Sequence, residues 1–257
     1  MDQPRKTSSP RHGTIESSID RWQECHWHLH QMEMHYHNPE PFRYSLNSFI
    51  RAAKEVPGIL QADLQNHAQV RAQVATEFEI LNQNTLFVAL KKRRDFLVHR
   101  GMLEPQSNGS VGTTEGHQIK VAIPFPVFPH ESSDEAYERY IASCRTNKIL
   151  RQLSGPDSGS GPAIWRTWLI PQFPGHDLLE VAFEAWLLTG RLLCAAVVAL
   201  GEPPLDLELL CRHSVNDIQI KRFNRRDFFL RVDGIDIEEE ARRYREFFDK
   251  HRKPSDS

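Results

Sequence analysis

Residues 14–37, TIESSIDRWQECHWHLHQMEMHYH, decide the fold. Ile15, Ile19, Trp22, Cys25, Leu29, Met32 and Tyr36 recur at steps of three and four. On an α-helix such residues form one continuous stripe that must be buried against other helices, as in a bundle. The run His37-Asn38-Pro39-Glu40-Pro41 closes the helix, because proline lacks a backbone donor and its ring blocks a helical turn.

The same periodicity continues outward. Residues 41–66 carry Phe42, Leu46, Phe49, Ile50, Ala53, Leu60 and Leu64 at helical spacing, with Pro57 expected to kink the helix. Residues 70–100 predict a third helix through Val74, Phe78, Leu81, Val88 and Phe96, with Gly101 as its stop. The fourth, residues 176–200, is the most apolar and is closed by Gly201 and Pro203-Pro204. Its run from Ala185 to Leu200 contains Arg191 and follows Asp177, Glu180 and Glu184, so it reads as a buried core helix, too short for a membrane span.

The expected fold is therefore mainly α. A helical bundle over residues 14–204 is interrupted by a long irregular insert, residues 102–175, and preceded by a disordered tail, residues 1–13. Within the insert, QSNGSVGTTEG (residues 106–116) and SGPDSGSGP (residues 154–162) are Gly/Ser-rich and predict mobile segments. Gln118 to Ile123 alternates like a strand and runs into PFPVFP, while Asp134 to Leu153 fits an additional helix. A C-terminal appendage, residues 205–257, reads as a small β-hairpin (Ile218 to Phe223, the turn NRRD, then Phe228 to Val232) followed by a charged helix over Ile237 to His251.

Composition narrows the class. With 39% hydrophobic and 26% charged residues, a chain of 257 can bury a real core. A net charge of −2 argues neither for nor against a polyanionic partner. Cys25, Cys144, Cys194 and Cys211 form no CxxC pair and read as buried thiols of a reducing compartment. The opening MDQPRKTSSPRHG lacks the apolar core of a secretory signal, so a cytoplasmic location without membrane partners is expected.

Chemistry concentrates in KKRRDFLVHRG, residues 91–101. On the third helix Asp95 and His99 are i,i+4 neighbours, and Arg94 lies on the adjoining edge. An imidazole takes and gives protons near neutral pH, and a guanidinium holds phosphoryl oxygens with two parallel bonds. The set suits cleavage of a phosphodiester by its neighbouring 2′-hydroxyl, which needs no metal or cofactor. Lys91, Lys92, Arg93 and Arg100 surround it as candidate nucleic-acid contacts. Arg21 and His26 share the bare spacing. The polar residue after Arg94, the apolar Phe96-Leu97-Val98 and the following Gly101 set the later pair apart. The alternative is an Asp–His–Arg ion-pair cluster that only organises a helix end.

This arrangement resembles the HEPN superfamily, helical bundles marked by an arginine, a following polar residue and a histidine. The resemblance covers roughly residues 14–101 and 176–200, and YHNPEPFRYSLNSFIRA, residues 36–52, is also similar to the opening of bacterial helical proteins of this general kind. It implies a metal-independent endoribonuclease or toxin-like defence effector working as a homodimer. Arg94 would hold the scissile phosphate, His99 would act as acid or base, and Asp95 would take a position most often Asn. RNA, a second copy, and a protein partner or antitoxin are the implied partners. A non-catalytic bundle that binds protein or nucleic acid is the alternative of another class.

Two further patterns carry chemistry. His26, His30, Glu33 and His37 follow at steps of four, three and four along one flank of the first helix, a spacing that suits a transition-metal site. His28 and His35 on the other flank make the helix generally His-rich. Near the C-terminus Arg212, Lys221, Arg222, Arg225, Arg226 and Arg231 interleave with Phe223, Phe228 and Phe229. That is either a nucleic-acid-binding hairpin or a hairpin with one buried aromatic face. No Gly-rich phosphate loop, GxSxG elbow or HExxH motif occurs.

Overall fold

The computed structural model describes residues 13–99, 105–157, 159–173, 175–205, 207 and 215–251, without the side chains of 93–99, 215, 216, 248, 249 and 251. Residues 1–12, most of the expected tail, lie outside that set. The elements in chain order are α1 (Glu16–Met34), α2 (Pro39–Asp63), α3 (Ala68–Gln73), α4 (Ala75–Gln83), α5 (Thr85–His99), β1 (Gln106–Glu115), β2 (Gln118–Pro124), α6 (Ser133–Thr146), α7 (Lys148–Ser154), β3 (Gly161–Leu169), α8 (Leu178–Ala199), α9 (Val215–Ile218), β4 (Ile220–Arg222), α10 (Arg225–Asp233) and α11 (Ile237–His251). Helix dominates, as expected. The chain divides into two compact units, one of Met1–Tyr36, Glu40–Pro105 and Leu169–Val215, the other of His37–Pro39, Gln106–Trp168 and Asn216–Ser257.

The first unit is a helical bundle packed on α8, which touches α1, α3, α4 and α5. Ile15, Ile19, Trp22, Cys25, Leu29, Met32 and Tyr36, the stripe read from sequence, are all buried. The Trp22 and Trp186 indoles stack at 4.6 Å, and Trp22 Nε1 donates to the Trp186 carbonyl at 3.0 Å. Gly190 makes room for this pair, since a Cβ there would lie 2.9 Å from the Trp22 ring. Asp177 starts α8 by accepting from the Leu179 amide at 2.8 Å, while Glu180 reaches back to the Asp177 amide. The buried Tyr36 hydroxyl donates to the same Asp177 carboxylate. Among the described residues α8 is the helix long and apolar enough to cross a membrane, yet 56% of its most apolar window is buried inside the protein.

Pro57 sits buried inside α2, which is helical on both sides of it. One detail of the helices differs from expectation. The single helix expected over residues 70–100 is three. The backbone leaves the helix at Val74 (ψ 2°) and again at Asn84 (ψ 121°). The Asn84 side chain accepts from the Phe87 amide at 3.1 Å, so a residue that reads as mid-helix polar surface acts as a cap that restarts the chain as α5.

The second unit overturns the irregular insert. QSNGSVGTTE forms β1, paired antiparallel with β2 around a turn at Gly116 (φ +57°), and the four strands make one sheet in the order β2-β1-β3-β4. The glycines of β1 serve close approach: a Cβ at Gly112 would stand 2.0 Å from the Val121 carbonyl oxygen, and one at Gly109 2.3 Å from Val127 Cγ2. β3 pairs antiparallel with β4, so the stretch before α8 and the C-terminal segment share one sheet. Val111, Val127, Tyr137, Tyr140, Ile141, Ile164 and Phe228 form its core. The additional helix expected over residues 134–153 is the pair α6 and α7, with Asn147 between them accepting from the Leu150 amide at 3.0 Å.

The expected C-terminal hairpin is also corrected. Only its first arm is a strand, β4; the second is α10. Asn224 accepts from the Arg226 amide at 2.8 Å and caps α10, which ends at Gly234 in the left-handed region (φ +72°). Phe228 and Val232, one turn apart, then face the same core while Leu230 between them is exposed, whereas a strand would put all three on one face. The charged helix that follows is α11, as expected.

Candidate functional site

Helix α5 carries the Arg/Asp/His motif. Its first turns are anchored by buried Leu86, Phe87 and Leu90. The helix runs unbroken to His99, so positions 95 and 99 continue the line of Lys91, and position 94 continues that of Phe87 and Leu90. The side chains of Arg93, Arg94, Asp95 and His99, and Arg100 entirely, lie outside the described residues. Of the basic residues around the motif, Lys91 donates to Asn82 Oδ1 at 2.6 Å and rides 5.3 Å above the Phe87 ring, while Lys92 is exposed.

The histidine flank of α1 is partly assembled. The His26 ring stacks on Trp186 at 4.8 Å and meets His30 edge-on at 4.5 Å. His30 Nδ1 lies 2.7 Å from Glu33 Oε2, and burial holds the His30 imidazole below its ordinary range despite that carboxylate. His37 does not join them, because both of its ring nitrogens are engaged elsewhere. Nε2–H donates to the Ile218 carbonyl at 2.9 Å, which leaves Nδ1 to accept from the Ser133 hydroxyl at 2.8 Å. Burial, reinforced by the Lys221 charge, pushes the His37 imidazole down to about 4, so it is neutral at physiological pH. Among the described residues no group of three or more His, Cys, Asp or Glu side chains is placed to hold a metal ion.

The basic, aromatic C-terminal pattern resolves into internal structure. Phe223 stacks on Tyr137 at 3.8 Å and Phe228 is buried. Lys221 pairs with Asp134 at 2.6 Å, Arg222 with Asp217 at 3.5 Å, and Arg231 with Glu138 and Asp227. These three charges have protein partners, and the two rings pack within the unit as a buried aromatic face does. Arg212 lies outside the described residues.

Sequence reading missed Arg166, fully buried on β3. Its guanidinium lies 3.7 Å from the Trp168 ring centroid and donates to the carbonyls of Glu131 at 2.6 Å and Phe128 at 2.9 Å. Burial alone would raise the Glu131 carboxyl, but hydrogen bonds from Arg139 and the Phe128 amide, with the Arg139 and Arg166 charges, together hold it below the usual range. A lone arginine in a strand gives no sequence signal of such a role. Among the described residues, burial raises the thiols of Cys25, Cys144 and Cys194 above the ordinary thiol range. Cys211 lies outside the described residues.

These features define a mainly helical protein whose bundle is accompanied by a small four-stranded sheet. Residues 13–202, from the start of α1 to just beyond α8, match the family described as bacteriophage lambda protein ea47, and the chain belongs to that family. No curated protein and no solved structure matches the chain.

Proposed function

We propose that the protein is a metal-independent endoribonuclease of the HEPN type, a toxin-like defence effector that works as a homodimer through Arg94 and His99. The observation that carries the reading is that α5 stays helical to His99, which keeps Asp95 and His99 one turn apart on a helix packed against α8. His99 takes the proton of a ribose 2′-hydroxyl, and the 2′-oxygen attacks the adjacent phosphorus. The P–O5′ bond breaks, a protonated imidazole supplies the proton that the leaving 5′-oxygen needs, and a 2′,3′-cyclic phosphate remains. Arg94 balances the charge that accumulates on the phosphoryl oxygens.

The test is incubation of a mixed RNA pool in excess chelator with the wild-type chain, His99→Ala and Arg94→Ala, each checked for folding. Cleavage by the wild type alone, with each variant weaker by at least about a hundredfold, is expected. Equal cleavage by all three, or none at high protein concentration, removes the reading in favour of a non-catalytic bundle.

A further inference from the structure

A cleft of about 920 Å³ opens between the start of α10 and the first turns of α11, lined by Arg225, Arg226, Arg242 and Arg245 and by Asp236, Glu238 and Glu239. Its carboxylates already have partners. Arg226 binds Asp236 and Glu238, each at 2.6 Å, and Arg243 binds Glu239. The remaining arginines are held more loosely among the described residues. Arg225 lies over the Phe229 ring at 5.3 Å, and its buried Nε has no hydrogen-bond partner among the described residues. Arg245 donates only to the Ala241 carbonyl of its own helix, at 3.3 Å. Arg242 comes no closer to a carboxylate than 3.9 Å, to Glu246, with both side chains 67% exposed.

Three guanidinium groups around one open cleft, Arg242 in a loose, exposed pair with Glu246 and Arg225 and Arg245 with no carboxylate partner among the described residues, present many N–H donors to a single space. Phosphoryl oxygens match that geometry, because each can accept forked, charge-assisted bonds. The residues involved lie beyond 202, outside the stretch that matches the ea47 family. We infer that this cleft is a binding site for consecutive phosphates of a single-stranded RNA backbone. The identity of the chain as RNA rests on the nuclease reading; the preference for a phosphodiester chain rests on the arginines alone.

The experiment measures fluorescence anisotropy of a labelled 2′-O-methyl oligoribonucleotide, which lacks the attacking hydroxyl and cannot be cut, titrated with the full chain at several salt concentrations. The test variant is Arg225→Gln/Arg242→Gln/Arg245→Gln. The control is Arg51→Gln/Arg71→Gln/Lys148→Gln, an equal loss of charge at exposed residues that do not line the cleft. The test variant should bind at least about tenfold more weakly, with the slope of log K against log salt reduced by about 2, while the control changes less than about threefold. Because Arg225 packs on Phe229, Arg242→Gln/Arg245→Gln is measured alongside and should show most of the loss with unchanged thermal melting. Equal weakening of test and control, or none in either, overturns the site. So does displacement of the oligonucleotide by millimolar inorganic phosphate beyond that by chloride of equal ionic strength, which would make the ligand a free phosphate. The substrate cannot be cleaved, so the result stands apart from whether Arg94 and His99 are catalytic.

Discussion

In the first unit helices gather on α8 and the shared contents are indoles and aliphatic chains. In the second, a sheet drawn from separated parts of the chain is accompanied by helices joined through arginine–carboxylate pairs, Arg139–Glu131 beside α6, Arg151–Asp233 between α7 and α10, and Arg231–Glu138 between α10 and α6. Both bury an apolar cluster, but the balance differs. Stability in the first rests on packing, which is insensitive to pH and salt. In the second the packed cluster around Tyr140 and Phe228 is joined by ion pairs, and exposed pairs of this kind each contribute little. The contrast can be tested residue by residue with amide hydrogen exchange, which reads the two units separately.

The largest effect belongs to the first unit. Trp186→Ala removes a fully buried indole that stacks on Trp22 and His26, and should cost about 3–5 kcal/mol. Amides of α1 and α8 should lose protection while those of α6 keep theirs. A loss below about 1 kcal/mol would break the claim that packing on α8 holds this unit.

Next comes a pH effect confined to the second unit. His37 in the folded chain is depressed to about 4 from an ordinary 6.5 by burial and the Lys221 and Arg166 charges, with Asp134 opposing. The unfolded chain therefore binds the proton more readily between those values. His37 contributes stability that is complete above about pH 6.5 and is lost as pH falls towards 4, on the order of 3 kcal/mol in all. Exchange of β1 and α6 amides should quicken over that window, and His37→Gln should flatten the dependence. An unchanged profile in the variant would assign the acid sensitivity to other groups.

A smaller effect probes the corrected C-terminal segment. Asn224→Ala removes the cap of α10 and should cost about 1 kcal/mol, seen as faster exchange in α10 alone. Faster exchange along β4 as well would mean that strand and helix form one cooperative element.

The two units also differ in how much of them could be read from sequence. The stripe from Ile15 to Tyr36 was legible because helical burial repeats at a fixed local period. β1 was not, because QSNGSVGTTE has the composition of a linker; its glycines are required by approach to Val121 and Val127 of other segments, which sequence order hides. Phe228 to Val232 misled for the opposite reason: its aromatic and branched residues suit a strand, and the deciding signal was Asn224 immediately before it. For the candidate site, the helical frame of α5 was legible up to its end at His99, whereas the interruption at Asn84 was not. The histidine flank showed the limit of spacing as evidence. The step from Glu33 to His37 crosses the end of α1, where the chain has left the helix on which that step would align them.

The central claim is that Arg94 and His99 cut RNA using its own 2′-hydroxyl. The most direct measurement uses a short RNA with a mapped cleavage position, compared in chelator with the same oligonucleotide bearing a single 2′-deoxy residue on the 5′ side of that bond. The account predicts a 2′,3′-cyclic phosphate on the RNA product and no cleavage at the deoxy linkage. Cleavage at the deoxy linkage, or products ending in 3′-hydroxyl and 5′-phosphate, would contradict it.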